Sequence, residues 1–141
     1  MKEQRSILEF ENYYIESFVF EKNEEFNISK EEQVKLNIDF DFDTKYEGDL
    51  FIRKVTCTIF DEDYIKNNNP FYLELLMNGV FRFPGFDKEN DMHTEIIKKN
   101  TLAILFPYIR STISHMTMEM QIQPVKLPPM NIKSFFEEKN E

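Results

Sequence analysis

One short segment constrains the fold of this chain more than any other. At residues 34–43, apolar and polar side chains alternate without a break. Successive side chains of a strand point to opposite faces, so this period of two separates an apolar face from a polar one. The apolar set is Val34, Leu36, Ile38, Phe40 and Phe42, and the polar set is Lys35, Asn37, Asp39, Asp41 and Asp43. Such alternation is typical of an antiparallel sheet with one buried and one hydrated face.

Three further segments predict strands. Residues 7–21 are rich in Phe, Tyr, Ile and Val, and their alternation slips near residues 12–14, where we expect a bulge or bend. Residues 50–60 alternate regularly, and residues 71–83 form a fourth strand that Asn78-Gly79 interrupts. Polar turns and loops separate or end these strands, at residues 22–30, 46–49, 61–70 and 84–85.

From about Asp91 the pattern changes to the period of a helix. An apolar stripe repeats every three or four residues; it consists of Leu102, Leu105 or Phe106, Ile109, Ile113, Met116 and Met120. Pro107 should kink this helix or mark a start within it, because proline lacks the amide hydrogen that a helix interior uses. Residues 123–131 predict an extended, proline-bearing connector, and residues 132–139 predict a short final helix with Asn131 as its N-cap.

Strands followed by helices predict an α+β fold. The chain has 141 residues and no segment with the composition of a linker, so we expect residues 1–141 to form a single domain. A single sheet with one helix layer leaves one face open, and the long helix carries a continuous apolar stripe. Symmetric contacts are the simplest way to bury both, so we expect a homo-oligomer.

The charge of the chain limits its partners. The formal net charge is −9, which argues against nucleic acid and against an anionic membrane surface, since both attract clusters of Lys and Arg. A basic partner or client is favoured, although negative charge can also serve only to keep an apolar protein soluble. No signal-peptide pattern and no run of about 20 apolar residues occurs, so we expect a cytoplasmic protein without membrane insertion.

The acidic strand face superficially resembles the start of a calcium-binding loop. In such a loop the sixth position is Gly and the twelfth is Glu, but counting from Asp39 these positions are Thr44 and Leu50. On a strand, carboxylates two residues apart stand about 7 Å from each other, too far to share one ion. We therefore interpret this face as solvated.

The chain has one cysteine, Cys57, and two histidines, His93 and His115. Zinc sites need three or four converging ligands, and no Cys-x-x-Cys or His-x-x-x-His spacing occurs. An enzyme that pairs Cys57 with a histidine remains a hypothesis, but Cys57 lies on the predicted apolar face, where a thiol acts as a small hydrophobic group. We expect no metal, no cofactor and no catalysis.

The binding capacity of the chain should come from apolar surface. Aromatic residues make up 15% of the chain, and aromatic side chains are enriched at protein interfaces. Methionine adapts to varied partners, so Met118, which lies off the apolar stripe of the long helix, is the candidate for an exposed contact.

Two motifs toward the C-terminus carry a family resemblance. Residues 104–108, Ile-Leu-Phe-Pro-Tyr, enter the predicted long helix, and a Leu-x-Pro-x-Asn connector leads into the predicted short helix. The connector motif and the aromatic residue after it are Leu127, Pro129, Asn131 and Phe136. Together with the order and length of the strands, these motifs resemble the SecB-type protein-export chaperone family.

The resemblance implies a four-stranded antiparallel sheet with one long and one short C-terminal helix packed on one face, assembled as a dimer of dimers, that is, a homotetramer. It implies an ATP-independent holdase that binds unfolded precursor polypeptides for protein export. The client groove of the family falls on these positions of this chain: Ile122, Val125, Leu127, Met130 and Phe136, with Phe40 and Phe42 on the strand face.

The resemblance also implies a docking site for the translocase motor ATPase, at Glu21 and Glu74. A third acidic position of the family is Ser17 here, and the acidic tail is short, at residues 137–141. Some relatives instead serve as chaperones of an antitoxin. A dedicated partner-binding adaptor on the same fold is therefore the alternative to export.

Overall fold

A computed structural model describes residues 8–27 and 35–121 of the chain. Its elements in chain order are β1 (Glu9–Lys22), β2 (Ile38–Glu47), β3 (Leu50–Ile59), β4 (Phe71–Arg82) and α1 (Asp91–Glu119). The predicted connector at residues 123–131 and the predicted short helix at residues 132–139 lie outside the described residues.

The four strands form one sheet in the order β1-β4-β3-β2. Neighbouring strands run antiparallel: Phe10 of β1 meets Phe81 of β4, and Phe20 meets Phe71. A two-residue turn joins β2 to β3 and begins at Gly48, whose φ of 66° suits the first position of such a hairpin. The predicted α+β class with a four-stranded antiparallel sheet and a long helix is confirmed.

Alternation along the strands follows the predicted pattern. In β3, every second residue from Phe51 to Ile59 is buried, and the intervening residues are half-buried. In β2, Phe40 is buried, whereas Asp39, Asp41 and Asp43 are exposed. The period of two therefore assigned the faces of both strands correctly within the described residues.

The strand β4 corrects one expectation, because it continues through Asn78-Gly79 without interruption. The Asn78 amide is buried and donates a hydrogen bond to Glu16 at 2.9 Å, which satisfies a polar group in the middle of the sheet. A Cβ at Gly79 would lie 2.6 Å from Phe81 and 2.8 Å from Leu105. Glycine stands here because a neighbouring side chain needs the space, and not because the chain turns.

The expected irregularity of β1 is visible in its ring contacts. Phe10 and Tyr13 both lie against Tyr108, with ring centroids 5.8 and 4.4 Å away. Residues three apart in a regular strand would point to opposite faces. The strand therefore departs from strict alternation between these two residues.

The helix α1 begins at an N-cap and continues through its proline. The Asn90 side chain accepts hydrogen bonds from the amides of Met92 and His93, as an N-cap residue does. Pro107 lies inside the single helical element and is exposed. Ala103, whose carbonyl lacks its amide partner because of Pro107, is exposed as well, so water can solvate that carbonyl. The helix therefore does not begin at Pro107.

The buried stripe of α1 agrees with the prediction as far as Ile113 and departs from it beyond. Its buried residues are Ile97, Thr101, Leu102, Leu105, Phe106, Ile109, Ile113 and Thr117. In the last turns Thr117 is buried, with its hydroxyl donating to the carbonyl of Ile113, whereas Met116 is half-buried and Met120 is exposed.

The chain divides into two compact units. The helix unit comprises residues 8–13, 45–53 and 79–121 of the described chain, and the loop unit comprises residues 14–27, 35–44 and 54–78. In the helix unit, α1 packs on strand residues such as Phe10 and Gly79, and buried Arg53 donates to the hydroxyl of Thr101 at 3.2 Å. In the loop unit, the core consists of ring and aliphatic side chains, among them Val55, Ile59, Phe71, Leu73 and Leu75.

Candidate binding surfaces

The predicted client-binding residues fall into two groups. Phe40 and Phe42 lie on β2 with their rings nearly parallel and 6.5 Å apart. Phe40 is only 4% exposed, whereas Phe42 is half-buried. The remaining predicted client-binding residues lie outside the described residues; they are Ile122, Val125, Leu127, Met130 and Phe136.

The chemistry of β2 combines an apolar and an acidic face. Phe42 stands between Asp41 and Asp43, both of which are exposed. Through the accessible part of Phe42, such a strand can contact apolar side chains of another polypeptide. The carboxylates of the strand can attract basic residues that flank those apolar side chains. Phe40 supports the ring of Phe42 more than it offers surface of its own.

The predicted docking residues, Glu21 and Glu74, both belong to the loop unit. Glu21 is exposed near the end of β1 and accepts a hydrogen bond from the hydroxyl of Tyr64, with 3.2 Å between the oxygens. Glu74 is half-buried on β4. The rings of Tyr64 and Tyr72 stack with their centroids 6.1 Å apart.

The tyrosines show which carboxylates lie close together. Burial raises the pKa of Tyr72, and the charges of Glu74, Glu62 and Glu21 raise it further. Burial also raises the pKa of Tyr64, together with its hydrogen bond to Glu21. Glu21 and Glu74 therefore approach the same phenol, with Glu62 as a third carboxylate that the sequence analysis did not single out.

Hydrogen bonds between the end of β1 and the loop before β4 fix the backbone near Glu21 and Glu62. Asn23 is 3% exposed; its amide donates to the carbonyl of Asn69 at 2.9 Å, and its backbone N–H donates to the carbonyl of Pro70 at 2.9 Å. The Asn27 backbone and the Asn68 side chain bond each other reciprocally. The sequence signal for this region was only a loop rich in Asn, so neither its partners nor the hydrogen bond from Tyr64 to Glu21 could be predicted from it.

Ser17, where the resemblance implies a third acidic position, is half-buried in β1. The adjacent Glu16 is exposed, but it accepts from Asn78 and pairs with Lys54 at 3.1 Å. Its charge is thus partly neutralised inside the loop unit.

Several large apolar side chains are exposed in the described part of the chain. On β1, an edge strand of the sheet, these are Tyr14, Ile15 and Val19. On α1, Met118 is 55% exposed, as predicted for a contact residue off the stripe, and Met120 is 38% exposed. In the sequence, both methionines precede the predicted connector at residues 123–131.

The thiol is unsuited to nucleophilic chemistry. Cys57 is fully buried, and burial, followed by the charge of Asp39, raises its pKa to about 12. Since the thiolate is the nucleophile, the group is unreactive at neutral pH. The Nδ1 atom of His93 is occupied by a hydrogen bond from the backbone N–H of Asp87 at 2.9 Å.

Neither metal-site hypothesis gains support from the described residues. Asp39, Asp41 and Asp43 are all exposed on β2, as the solvated interpretation predicts. Across residues 8–27 and 35–121, no group of three or more His, Cys, Asp or Glu side chains converges in a way that could hold an ion. Within the same residues, no helix is long and apolar enough to cross a membrane.

Comparison with known proteins identifies relatives of the chain. The family model described as preprotein translocase subunit SecB matches residues 1–141. An uncharacterised protein of Methanocaldococcus jannaschii is 33% identical over 129 residues, which cover 89% of this chain and 79% of that protein. The protein-export protein SecB of Alcanivorax borkumensis is 21% identical over 142 residues, which cover 99% of this chain and 89% of that protein.

A solved structure shares the fold. The SecB-like chaperone of Mycobacterium tuberculosis, in complex with a peptide from an antitoxin, matches with a TM-score of 0.71 over 92% of this chain and 95% of that chain. The sequences are 11% identical, so the likeness shows the fold alone.

Proposed function

Because this chain belongs to the SecB family of preprotein translocase subunits, we propose that it is an ATP-independent holdase that binds unfolded or precursor polypeptides for protein export. The family match and the shared fold with a SecB-like chaperone support a chaperone role. The observation that carries the proposal is the family match along residues 1–141. The buried thiol of Cys57, with its pKa near 12, supports binding without catalysis.

The client-binding proposal concerns two sets of residues, one on a strand and one on the predicted connector. The accessible part of Phe42, supported by Phe40, contributes an aromatic face, and the connector contributes Ile122, Val125, Leu127, Met130 and Phe136. Unfolded segments offer apolar side chains in no fixed order, so rings and methylene groups are the chemistry that accepts many of them.

Two further elements complete the proposal. The carboxylates of Glu21 and Glu74 would dock on a basic surface of the translocase motor ATPase, a contact that weakens with salt. The chain would assemble in the cytoplasm as a dimer of dimers. The exposed Tyr14, Ile15 and Val19 on the edge strand β1 support self-association, because an open edge and apolar side chains both favour pairing.

A refolding assay tests the holdase directly. A slow-folding client is diluted from denaturant with and without a stoichiometric amount of the chain, and we expect its refolding to be delayed. The substitution Phe42→Ser should weaken the delay, whereas Ile65→Ser, at a side chain 52% exposed in the loop at residues 61–70, serves as the matched control. A client that refolds at its free rate in the presence of the chain contradicts the proposal.

The second candidate is a dedicated chaperone of one partner, such as an antitoxin. It is favoured by one observation: the solved structure with the same fold is bound to an antitoxin peptide. Affinity purification of the chain from its own cell distinguishes the two. One dominant small partner supports the adaptor, and a spread of precursors supports export. Light scattering at micromolar concentration tests the assembly, since a monomeric mass contradicts it.

A further inference from the structure

We propose that Tyr64 is a positioning residue for partner docking: its hydroxyl holds the Glu21 carboxylate in the orientation that a basic partner protein meets. The inference rests on the docking role proposed above for Glu21 and Glu74. The inference adds a residue of the loop at residues 61–70 to the docking surface, which otherwise consists of the strand residues Glu21 and Glu74.

The geometry around Tyr64 leaves its side chain little freedom. The residue is 9% exposed, its ring stacks on Tyr72, and its hydroxyl lies 3.2 Å from the Oε1 atom of Glu21. Its backbone is fixed on both sides, because its N–H donates to the carbonyl of Asp61 at 3.1 Å and its carbonyl accepts from Asn69 at 2.7 Å. A hydroxyl held in this way is a fixed donor.

The loop that carries Tyr64 is itself attached to the end of β1. Asn23 binds the carbonyls of Asn69 and Pro70, and Asn27 and Asn68 bond each other. The end of β1 and this loop therefore form one platform inside the loop unit. Its exposed carboxylates outnumber its amines: they are Glu21, Glu24, Glu25, Asp61, Glu62 and Asp63, against Lys22 and Lys66. This charge is complementary to a surface rich in Lys and Arg.

Because Tyr64 holds the Glu21 side chain before the partner protein binds, the complex loses less conformational entropy when it forms. A free Glu side chain loses rotamer freedom when it pairs with a partner, and that loss weakens the complex. A carboxylate has several lone-pair sites, so Glu21 can accept from Tyr64 and still receive a Lys or Arg side chain. Losing the Tyr64 hydroxyl should therefore raise the Kd of the partner roughly three- to tenfold, the range expected for one immobilised side chain.

The experiment measures binding of the full chain to the purified translocase motor ATPase. Tyr64→Phe keeps the ring and removes the hydroxyl, and Tyr108→Phe, at a tyrosine of the helix unit, is the matched control. We expect a weaker complex for Tyr64→Phe and an unchanged one for Tyr108→Phe, with the delay of client refolding equal in both. In a Glu21→Gln background, Tyr64→Phe should have no further effect, which a merely structural role of the tyrosine would not produce.

A second readout checks the contact in solution. Burial and the hydrogen bond to Glu21 raise the pKa of Tyr64, and the charge of Glu21 also raises the pKa of Tyr72. Glu21→Gln should therefore shift part of the phenolate absorbance to lower pH, and Tyr64→Phe should reduce the shifted part to the contribution of Tyr72. The inference is overturned if Glu21→Gln weakens motor binding but Tyr64→Phe does not, or if the two effects add. If neither Glu21→Gln nor Glu74→Gln weakens motor binding, the docking proposal and this inference both fail.

Discussion

Each of the two compact units of this chain has its own balance of apolar and polar contacts. In the helix unit, Leu102, Leu105, Ile109 and Ile113 of α1 are each 0% exposed, and Gly79 leaves no room for a Cβ beside Phe81 and Leu105. In the loop unit, residues far apart in sequence are joined through polar groups. The buried amide of Asn23 binds backbone 46 residues away, and Glu16 joins Asn78, which lies 62 residues away.

The difference indicates which part of the molecule can change its binding properties without loss of the core. An apolar core is close-packed and tolerates little change of volume. Loops held by a few directed hydrogen bonds can vary in length and charge while the bonds at their ends remain. The proposed docking residues belong to the loop unit, so partner choice could change through its loops without repacking α1.

Cysteine labelling tests whether the core of the loop unit excludes solvent and reagent despite the polar contacts of that unit. Because burial raises the pKa of Cys57 from 9.0 to about 12, the thiolate fraction at pH 8 should be roughly a thousandfold below that of a free thiol. We expect alkylation of the native chain to be slower by at least that factor, measured by mass spectrometry at pH 8. The control is the chain in denaturant, and rapid labelling without denaturant would show that the loop unit opens.

The substitution Leu105→Ala tests the apolar packing of the helix unit. Leu105 is fully buried, so its truncation should lower the free energy of unfolding by about 3 kcal/mol, through lost burial and the cavity left behind. Urea unfolding at one protein concentration measures the loss. Met118→Ala, on the exposed side of the same helix, should change stability by less than about 0.5 kcal/mol. Equal losses for both would refute the assignment of the buried stripe.

The substitution Gly79→Ala tests the close approach between β4 and α1. The added Cβ would meet Phe81 and Leu105 at less than 3.0 Å, so we expect a loss of about 2 kcal/mol from overpacking. In a Leu105→Ala background the loss should shrink, because the truncated side chain leaves room. Additive losses in this double-mutant cycle would mean that the space at Gly79 does not depend on Leu105.

The substitution Asn23→Ala tests the polar attachment of the loop unit. It removes the donor to the Asn69 carbonyl and the acceptor of the Glu25 N–H, which should cost about 1–2 kcal/mol. Asn27→Ala is the control on the same turn, since its own contacts to Asn68 use only its backbone and are exposed. A loss no larger than that of Asn27→Ala would remove the distinction between the two units.

The sequence predicted much of the fold because its strongest signals are local periodicities. The alternation around Phe40 assigned the faces of β2, and the stripe through Ile109 assigned the buried side of α1. Dipeptide signals were weaker evidence. Asn78-Gly79 indicated a break, yet the pair lies inside β4, because Glu16 satisfies the amide and Leu105 fills the space beside the glycine.

The candidate site was predictable in part. Glu21 and Glu74 came from family resemblance, and the structure brings both to one tyrosine, Tyr72. Tyr64 could not have been found in the same way. Nothing in a loop of Asp, Asn and Lys residues indicates that its tyrosine is buried or that its hydroxyl reaches a strand 43 residues away.

By itself, then, the sequence determined the order and type of the described elements, the faces of β2 and β3, and the lack of zinc-ligand spacing among its cysteine and histidines. Tertiary structure alone decided which distant loops meet. Phe60 illustrates the reason: it adopts a φ of 64°, its N–H donates to the carbonyl of Asn37, and its ring stands edge-on against Phe71. A bulky residue takes such a backbone conformation only when surrounding contacts impose it, and the contact with Phe71 comes from a strand on the far side of the loop at residues 61–70.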